Sequence, residues 1–396
     1  MKKITLILTA ALVVLSAVAQ EKTEGYSFTT VKENPITPVK NQSSSGTCWS
    51  FSGIGFLESE LIRMGKGTYD LSEMFIVRKN LEDKAQKYIR LGGYLNFAPG
   101  GSFADVIDAM NDYGLVPESE YLGLNYGEET HKHGEMDGSL LAYLNAIREN
   151  KNKSLSTAWY RGFQGILDAY LGQVPETFTY NGKSYTPASF RDMLGLRASD
   201  YVSLTSFTHH PFYKPFAIEI PDNWRWAESY NVPLDEMMQV IDRALENGYT
   251  VAWASDVSES GFTRDGIGII PDENSPENAG SDQAHWLGLP VRERSAQLLT
   301  KINKGEHIAE KSITQEMRQL AYDNYQTTDD HGMLIYGTAK DQYGKKYYMV
   351  KNSWGETGKY KGLWYVSEAF VRYKTMSIVV NKQAIPKNIS AKLGLQ

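Results

Sequence analysis

The chain of 396 residues contains one cysteine, Cys48, in the stretch NQSSSGTCWSFSG. A lone cysteine is either a small buried hydrophobe or a reactive thiol. A thiolate is a far better nucleophile than a thiol, and its pKa falls at a helix N-terminus or beside an imidazolium. Phe51, Ile54, Leu57, Leu61 and Met64 keep helical spacing up to Gly65 and Gly67, so Cys48 sits at or beside the start of a helix. A nucleophile of this type needs a histidine as base and a third group to hold the ring. His331 heads the strand pattern HGMLIYGTAKD, and the next strand pattern, KKYYMVKNSWG, ends near Asn352. The turn DQYG between them brings the two side chains together. The Asn352 carbonyl oxygen can then accept from one ring nitrogen and leave the other facing the sulfur, with Trp354 shielding that bond from water.

The other histidines offer less. His131 and His133, in ETHKHGEMDG, read as members of a solvated loop. No ligand cluster joins them, so no metal site is expected there. His209 and His210 read as loop or packing residues, and His307, among charges, as a surface residue. His285, in SDQAHWLGLP, is the serious rival to His331. The acidic DENSPENAGSD lacks the spacing of a calcium loop, and Gly100-Gly101 is not followed by the Lys-Ser or Lys-Thr of a phosphate loop. Neither a metal nor a cofactor is expected.

Several elements must position these residues. A second helix is expected from about Leu71 to Arg90, opened by Ser72, and a third from Ser102 to Tyr113, stopped by Gly114. Residues 120 to 215 are polar and mostly helical in pattern, with a hairpin at TFTYNGKSYTP turned by Asn181-Gly182. The helical pattern YNVPLDEMMQVIDRALENG follows. YTVAWASDV, HGMLIYGTAKD, KKYYMVKNSWG, GLWYVSE and TMSIVVNK are short strand patterns, so the chain is helical first and β-rich last, an α+β order.

Lys2 and Lys3 precede an apolar run from Ile4 to about Val18, and Ala17-Val18-Ala19 has the small residues of a cleavage site. A signal peptide over 1–19 and an exported, periplasmic or secreted, product are expected from this pattern. No later stretch has the length and apolarity of a membrane span. The net charge of −6, with both signs interspersed, gives no nucleic-acid footprint, and an aromatic content of 12% is too rich for a disordered chain.

The segments Gln42…Ser45-Gly46-Thr47-Cys48-Trp49-Ser50-Phe51, Asp330-His331-Gly332 and Lys351-Asn352-Ser353-Trp354-Gly355 together, in this order, resemble the papain-type cysteine peptidases. In the papain pattern the histidine lies about 130 to 150 residues after the cysteine, whereas His331 follows Cys48 at about twice that distance. A second cysteine of the papain pattern is replaced by Ser45. SSGTCW, LSEMF, GGSFADVIDAMNDYGLVPESEY and YNVPLDEM are instead similar to the bleomycin hydrolase and aminopeptidase C branch.

The resemblance implies a helical half bearing Cys48, over about 20–120, and a β-barrel half bearing His331 and Asn352, over about 216–396. A large, mostly helical insertion over about 121–215 lies between them. It also implies Cys48 as nucleophile, His331 as general base and acid, Asn352 as orienter and Gln42 as an oxyanion donor. The substrates it implies are peptides, and the branch typically forms a hexameric ring. Members usually end in a tail whose terminus lies in the cleft and makes them aminopeptidases; an open cleft would make an endopeptidase. A catalytically silent binding protein is disfavoured, because all four positions are filled.

Overall fold

The computed structural model describes residues 25–279 and 283–395. The signal segment expected over 1–19 lies outside them. Strand β1 (Phe28–Glu33) precedes the three helices that carry the amino-terminal half: α1 (Cys48–Arg63), α2 (Glu73–Arg90) and α3 (Phe103–Tyr113). Ser72 caps α2 by accepting a hydrogen bond from the Phe75 amide at 3.0 Å. Before α3 the Ser102 amide donates to Asp105 Oδ2 at 2.6 Å. Helices α4 (Gly134–Arg148) and α5 (Ala158–Leu171), the hairpin β2 (Phe178–Tyr180) and β3 (Lys183–Tyr185), and α6 (Pro187–Leu194) then cover this half. Asn181 and Gly182 both take positive φ at the hairpin tip, as a two-residue turn of this kind requires. Phe163, Leu140, Leu144 and Phe190 from these elements complete one core with the buried faces of α1 to α3.

Strands β4 (Tyr201–Thr205), β5 (Pro215–Ala217) and β6 (Glu228–Asn231) lead to α7 (Leu234–Glu246), β7 (Val251–Ser255) and β8 (Ile267–Gly268). Helices α8 (Gln283–Gly288), α9 (Val291–Asn303) and α10 (Gln315–Asp323) precede β9 (His331–Asp341), β10 (Lys346–Lys351) and β11 (Leu363–Ser367). After α11 (Glu368–Lys374) come β12 (Thr375–Asn381) and α12 (Lys387–Leu393). Among the described residues, ten strands form one mixed sheet in the order β5-β6-β4-β12-β7-β9-β10-β11-β8, with β1 paired to β9. The α+β class expected from the sequence is the one observed. Strands β1 and β4 lie outside the region where strands are expected.

Residues Trp49 to Leu61 of α1 are all buried, so this helix is a shared wall of the molecule and not an amphipathic surface element. Its buried polar groups therefore all need partners. Ser50 Oγ donates to the Glu73 carbonyl, and Ser52 Oγ donates to the Gly332 carbonyl at 2.6 Å. Glu58 accepts from the Leu71 amide at 2.9 Å and from Thr37 Oγ1 at 2.5 Å. Thr37 in turn accepts from Lys351 Nζ at 2.9 Å, and Lys40 bridges Glu73 at 2.8 Å and Asp70 at 2.6 Å. This buried charge cluster joins α1 and α2 to β10 directly beneath Asn352. Removing one member of such a cluster leaves an uncompensated buried charge, at a cost of about 3–5 kcal/mol. Glu58→Ala is therefore expected to lower unfolding free energy by about that amount in a urea titration; a loss under about 1 kcal/mol would show that the cluster contributes little.

Candidate active site

Cys48, half-buried, is the first residue of α1 and lines a cleft that it shares with His331. Their proximity follows from packing between α1 and β9. Gly332 lies so close to the first turn of α1 that a Cβ there would sit 3.2 Å from the Trp49 Cα. The absence of a side chain at 332 lets the head of β9 press against the helix start and puts His331 beside the thiol. On the other side, Trp49 Nε1 donates to the Pro99 carbonyl at 3.1 Å, and Gly101 passes within contact of the Trp49 ring. Gly101 is part of the cleft wall, and Gly100 packs against the Asp222 carboxyl.

The His331 ring is oriented by Asn352. His331 Nε2 lies 2.7 Å from Asn352 Oδ1, which also accepts from the Ser353 amide at 2.7 Å. A backbone N–H can only donate, so the atom facing both groups is the Asn352 oxygen, and Nε2 must carry the ring proton. Nδ1 is left with its lone pair for the cleft. Trp354 covers the ring at 4.7 Å between centroids and is itself held edge-on by Trp364 and Phe262. Asn352 Nδ2 is buried with no partner.

Gln42 is buried in the loop before α1. Its amide N–H donates to the Ser353 carbonyl at 2.8 Å, and its side-chain Oε1 accepts from Ser353 Oγ at 2.6 Å. Nε2 donates one hydrogen to the Ser45 carbonyl at 2.7 Å, leaving the second. The Gly355 amide donates to the Lys40 carbonyl at 3.1 Å, so the loop before α1 is zipped along the segment after β10.

The electrostatics differ from the sequence expectation of a depressed thiol pKa. Burial pushes the Cys48 thiol up to about 12; the backbone hydrogen bonds from Gly332 and Trp49 oppose this, while Asp329 and Asp222 add to it. Burial also pushes the His331 imidazole down to about 4 against the Asn352 hydrogen bond. Between those values thiol and imidazole rest as a neutral pair, with an acceptor nitrogen available to take the thiol proton.

Asp222 and Asp329 line the same cleft, and sequence reasoning missed both as site residues. The doubled acid before His331 was the visible signal for Asp329; nothing local marks Asp222. The rival histidine, His285, lies on the exposed face of α8 and does not line the cleft. His131 and His133 correct an expectation: both are buried, and the His133 amide donates to the Ser44 carbonyl. Exposed Lys132, paired with Glu128, stands between the imidazoles and gives the stretch its solvated look, while His131 packs edge-on against Phe51 of α1 and against His133.

A family model for papain family cysteine proteases matches residues 26–164, and one for the peptidase C1-like family matches residues 303–395. The chain is 23% identical to cysteine proteinase 1, mitochondrial, of Saccharomyces cerevisiae, over 94% of this chain and 80% of that protein. It is 23% identical to aminopeptidase C of Streptococcus thermophilus, over 87% of this chain and 80% of that protein. Among solved structures, PepW from Lactobacillus rhamnosis HN001 shares the fold with a TM-score of 0.68 at 19% identity, covering 92% of this chain and 84% of that one.

These relatives overturn the export expected from the amino-terminal pattern. The yeast relative, aligned over nearly the whole chain, is a mitochondrial protein. A basic start before an apolar run is a short compositional pattern that does not fix a compartment, and a free thiol is kept reduced most readily in a reducing one.

Alkylation of Cys48 by iodoacetamide should persist from neutral pH down to about 4 and fall below it, where His331 takes a proton and loses its acceptor nitrogen. His331→Ala should remove the reaction across that range; an unchanged alkylation rate in this variant would separate the two residues.

Proposed function

This chain belongs to the papain-like superfamily of cysteine peptidases, in its bleomycin hydrolase and aminopeptidase C branch, and from that premise we propose that it removes amino-terminal residues from peptides through an acyl-enzyme on Cys48. The sulfur attacks the carbonyl carbon as its proton passes to His331 Nδ1. The C–N bond then breaks as Nδ1 returns the proton to the leaving amine; water attacks the thioester carbon with Nδ1 again accepting a proton, and the C–S bond breaks as that proton returns to the Cys48 sulfur, releasing the acid and restoring the thiol. Asn352 keeps Nδ1 on the sulfur side throughout. The Cys48 amide, one of the unsatisfied N–H groups at the start of α1, and the second hydrogen on Gln42 Nε2 serve the oxyanion; one such donor is worth on the order of 3 kcal/mol of barrier.

The observation that carries the aminopeptidase reading is the acid lining of the cleft. Asp222 and Asp329 flank Cys48 and His331, and among the described residues no Lys or Arg lines the cavity with them. The nearby Lys84 spends its ammonium on the carbonyls of Ala98 and Gly100, at 2.8 and 2.6 Å. Burial, with Asp222 and Asp330 adding to it, pushes the Asp329 carboxyl up to about 8. An acid pair held this way ionises fully when a cation arrives, and the α-ammonium of a substrate bonded to Cys48 is a cation at the right end of the cleft. The tail expected to supply this anchor packs elsewhere as far as it is described. Leu393 is buried in the core around α7, and Lys392 pairs with Glu236.

The test compares one fluorogenic aminoacyl substrate with its amino-blocked twin under reducing conditions, with Cys48→Ala as the blank. Cleavage of the free-amine form alone is expected. The double variant Asp222→Asn, Asp329→Asn should lose about 10- to 100-fold in kcat/KM on that form, the value of a charged hydrogen bond. Equal cleavage of the blocked form would instead mean an open cleft and an endopeptidase.

A further inference from the structure

His209 and His210 follow β4 in a partly exposed turn, and both rings face the same carboxylate. His209 Nε2 lies 3.1 Å from Glu219 Oε2, and His210 Nε2 lies 2.9 Å from Glu219 Oε1. One donor atom from each of the three residues lies within 4.8 Å of the other two. Consecutive residues of an extended chain point to opposite sides, so the convergence of neighbouring imidazoles is a specific local geometry. Each ring is also clamped. His210 stacks on Phe216 at 4.2 Å between centroids, and His209 stacks on Tyr322 of α10 at 5.5 Å.

The far side of the cluster is supported as well. His209 Nδ1 lies 3.1 Å from Gln319 Nε2 and 3.4 Å from Gln319 Oε1, and Gln319 Oε1 accepts from the Thr208 amide. Tyr322 donates to the Glu219 backbone carbonyl at 2.9 Å. Ligation through Nε2 requires Nδ1 to carry the ring proton and donate it, and Gln319 Oε1 at 3.4 Å is the acceptor available for that tautomer.

We propose that His209, His210 and Glu219 form a binding site for a divalent first-row transition-metal ion of the zinc class. Two imidazoles and one carboxylate suit such an ion, whereas calcium and magnesium take oxygen donors. Tetrahedral bonds of about 2.0–2.2 Å set neighbouring donors roughly 3.3 Å apart. The two His–Glu separations, 3.1 and 2.9 Å, are within a few tenths of an ångström of that value, all three donors lie within 4.8 Å of one another, and the partly exposed face leaves a coordination position for water. The site ties the turn after β4 to the segment leading to Ile220 and Asp222, which line the Cys48 cleft, while Gln319 and Tyr322 connect it to α10, the helix before His331.

The test titrates Zn²⁺ alone into the full-length Cys48→Ala protein by calorimetry, so that the active-site thiol does not compete for the ion. One ion per chain is expected. His210→Ala and Glu219→Gln, each checked for folding by circular dichroism, should weaken binding by more than about tenfold, and Gln319→Ala by about 10- to 100-fold. Absence of binding, or a titration unchanged in both His210→Ala and Glu219→Gln, would overturn the site and leave the trio as a hydrogen-bonded ion pair.

Discussion

The hydrogen bond between His331 and Asn352 decides what the rest of the site can do. Its direction is set by a third group, the Ser353 amide, which can only donate and so turns the Asn352 oxygen toward the ring. With Nε2 committed as donor, Nδ1 is the nitrogen that faces the thiol. Much of the surrounding structure keeps this bond in place. Lys351, one residue away, is anchored through Thr37 to Glu58 of α1, Ser353 is tied to Gln42, and Trp354 covers the ring. The two halves are thus joined by the segment 351–354, which also carries the orienting group.

Burial gives this site its chemical character. The same packing that brings Gly332 against α1 removes water from sulfur and imidazole, favouring the neutral form of each. A neutral pair transfers its proton during attack, so the barrier depends on geometry and on how well the oxyanion is received. The acid lining at Asp222 and Asp329 raises the thiol pKa further. Under the proposed aminopeptidase reading, a bound ammonium would favour the charged form of both carboxyls and offset that charge, so that amine recognition and thiol activation would be parts of one electrostatic arrangement.

Local patterns carried the parts of this structure that local physics determines. The strand read at HGMLIYGTAKD is β9 over the same residues, Ser72 caps α2, and Asn181-Gly182 turns the hairpin. Cys48, His331 and Asn352 were legible for the same reason, since each stands at the end of a strongly patterned element. Long-range features were not legible. Strand β1 is polar and pairs with β9 from the far end of the chain, and Asp222 reaches the cleft from an irregular segment with no pattern of its own. The burial of His131 and His133 is masked by their charged neighbours. The raised thiol pKa depends on walls contributed by six separate stretches of chain.

The central claim is that Cys48 carries the acyl group, and mass spectrometry of the protein quenched during turnover of an activated aminoacyl ester tests it most directly. The account predicts an adduct of one aminoacyl residue on the peptide containing Cys48, absent from Cys48→Ala and from denatured protein. Turnover that continues in Cys48→Ala, or an adduct on any other residue, would contradict it.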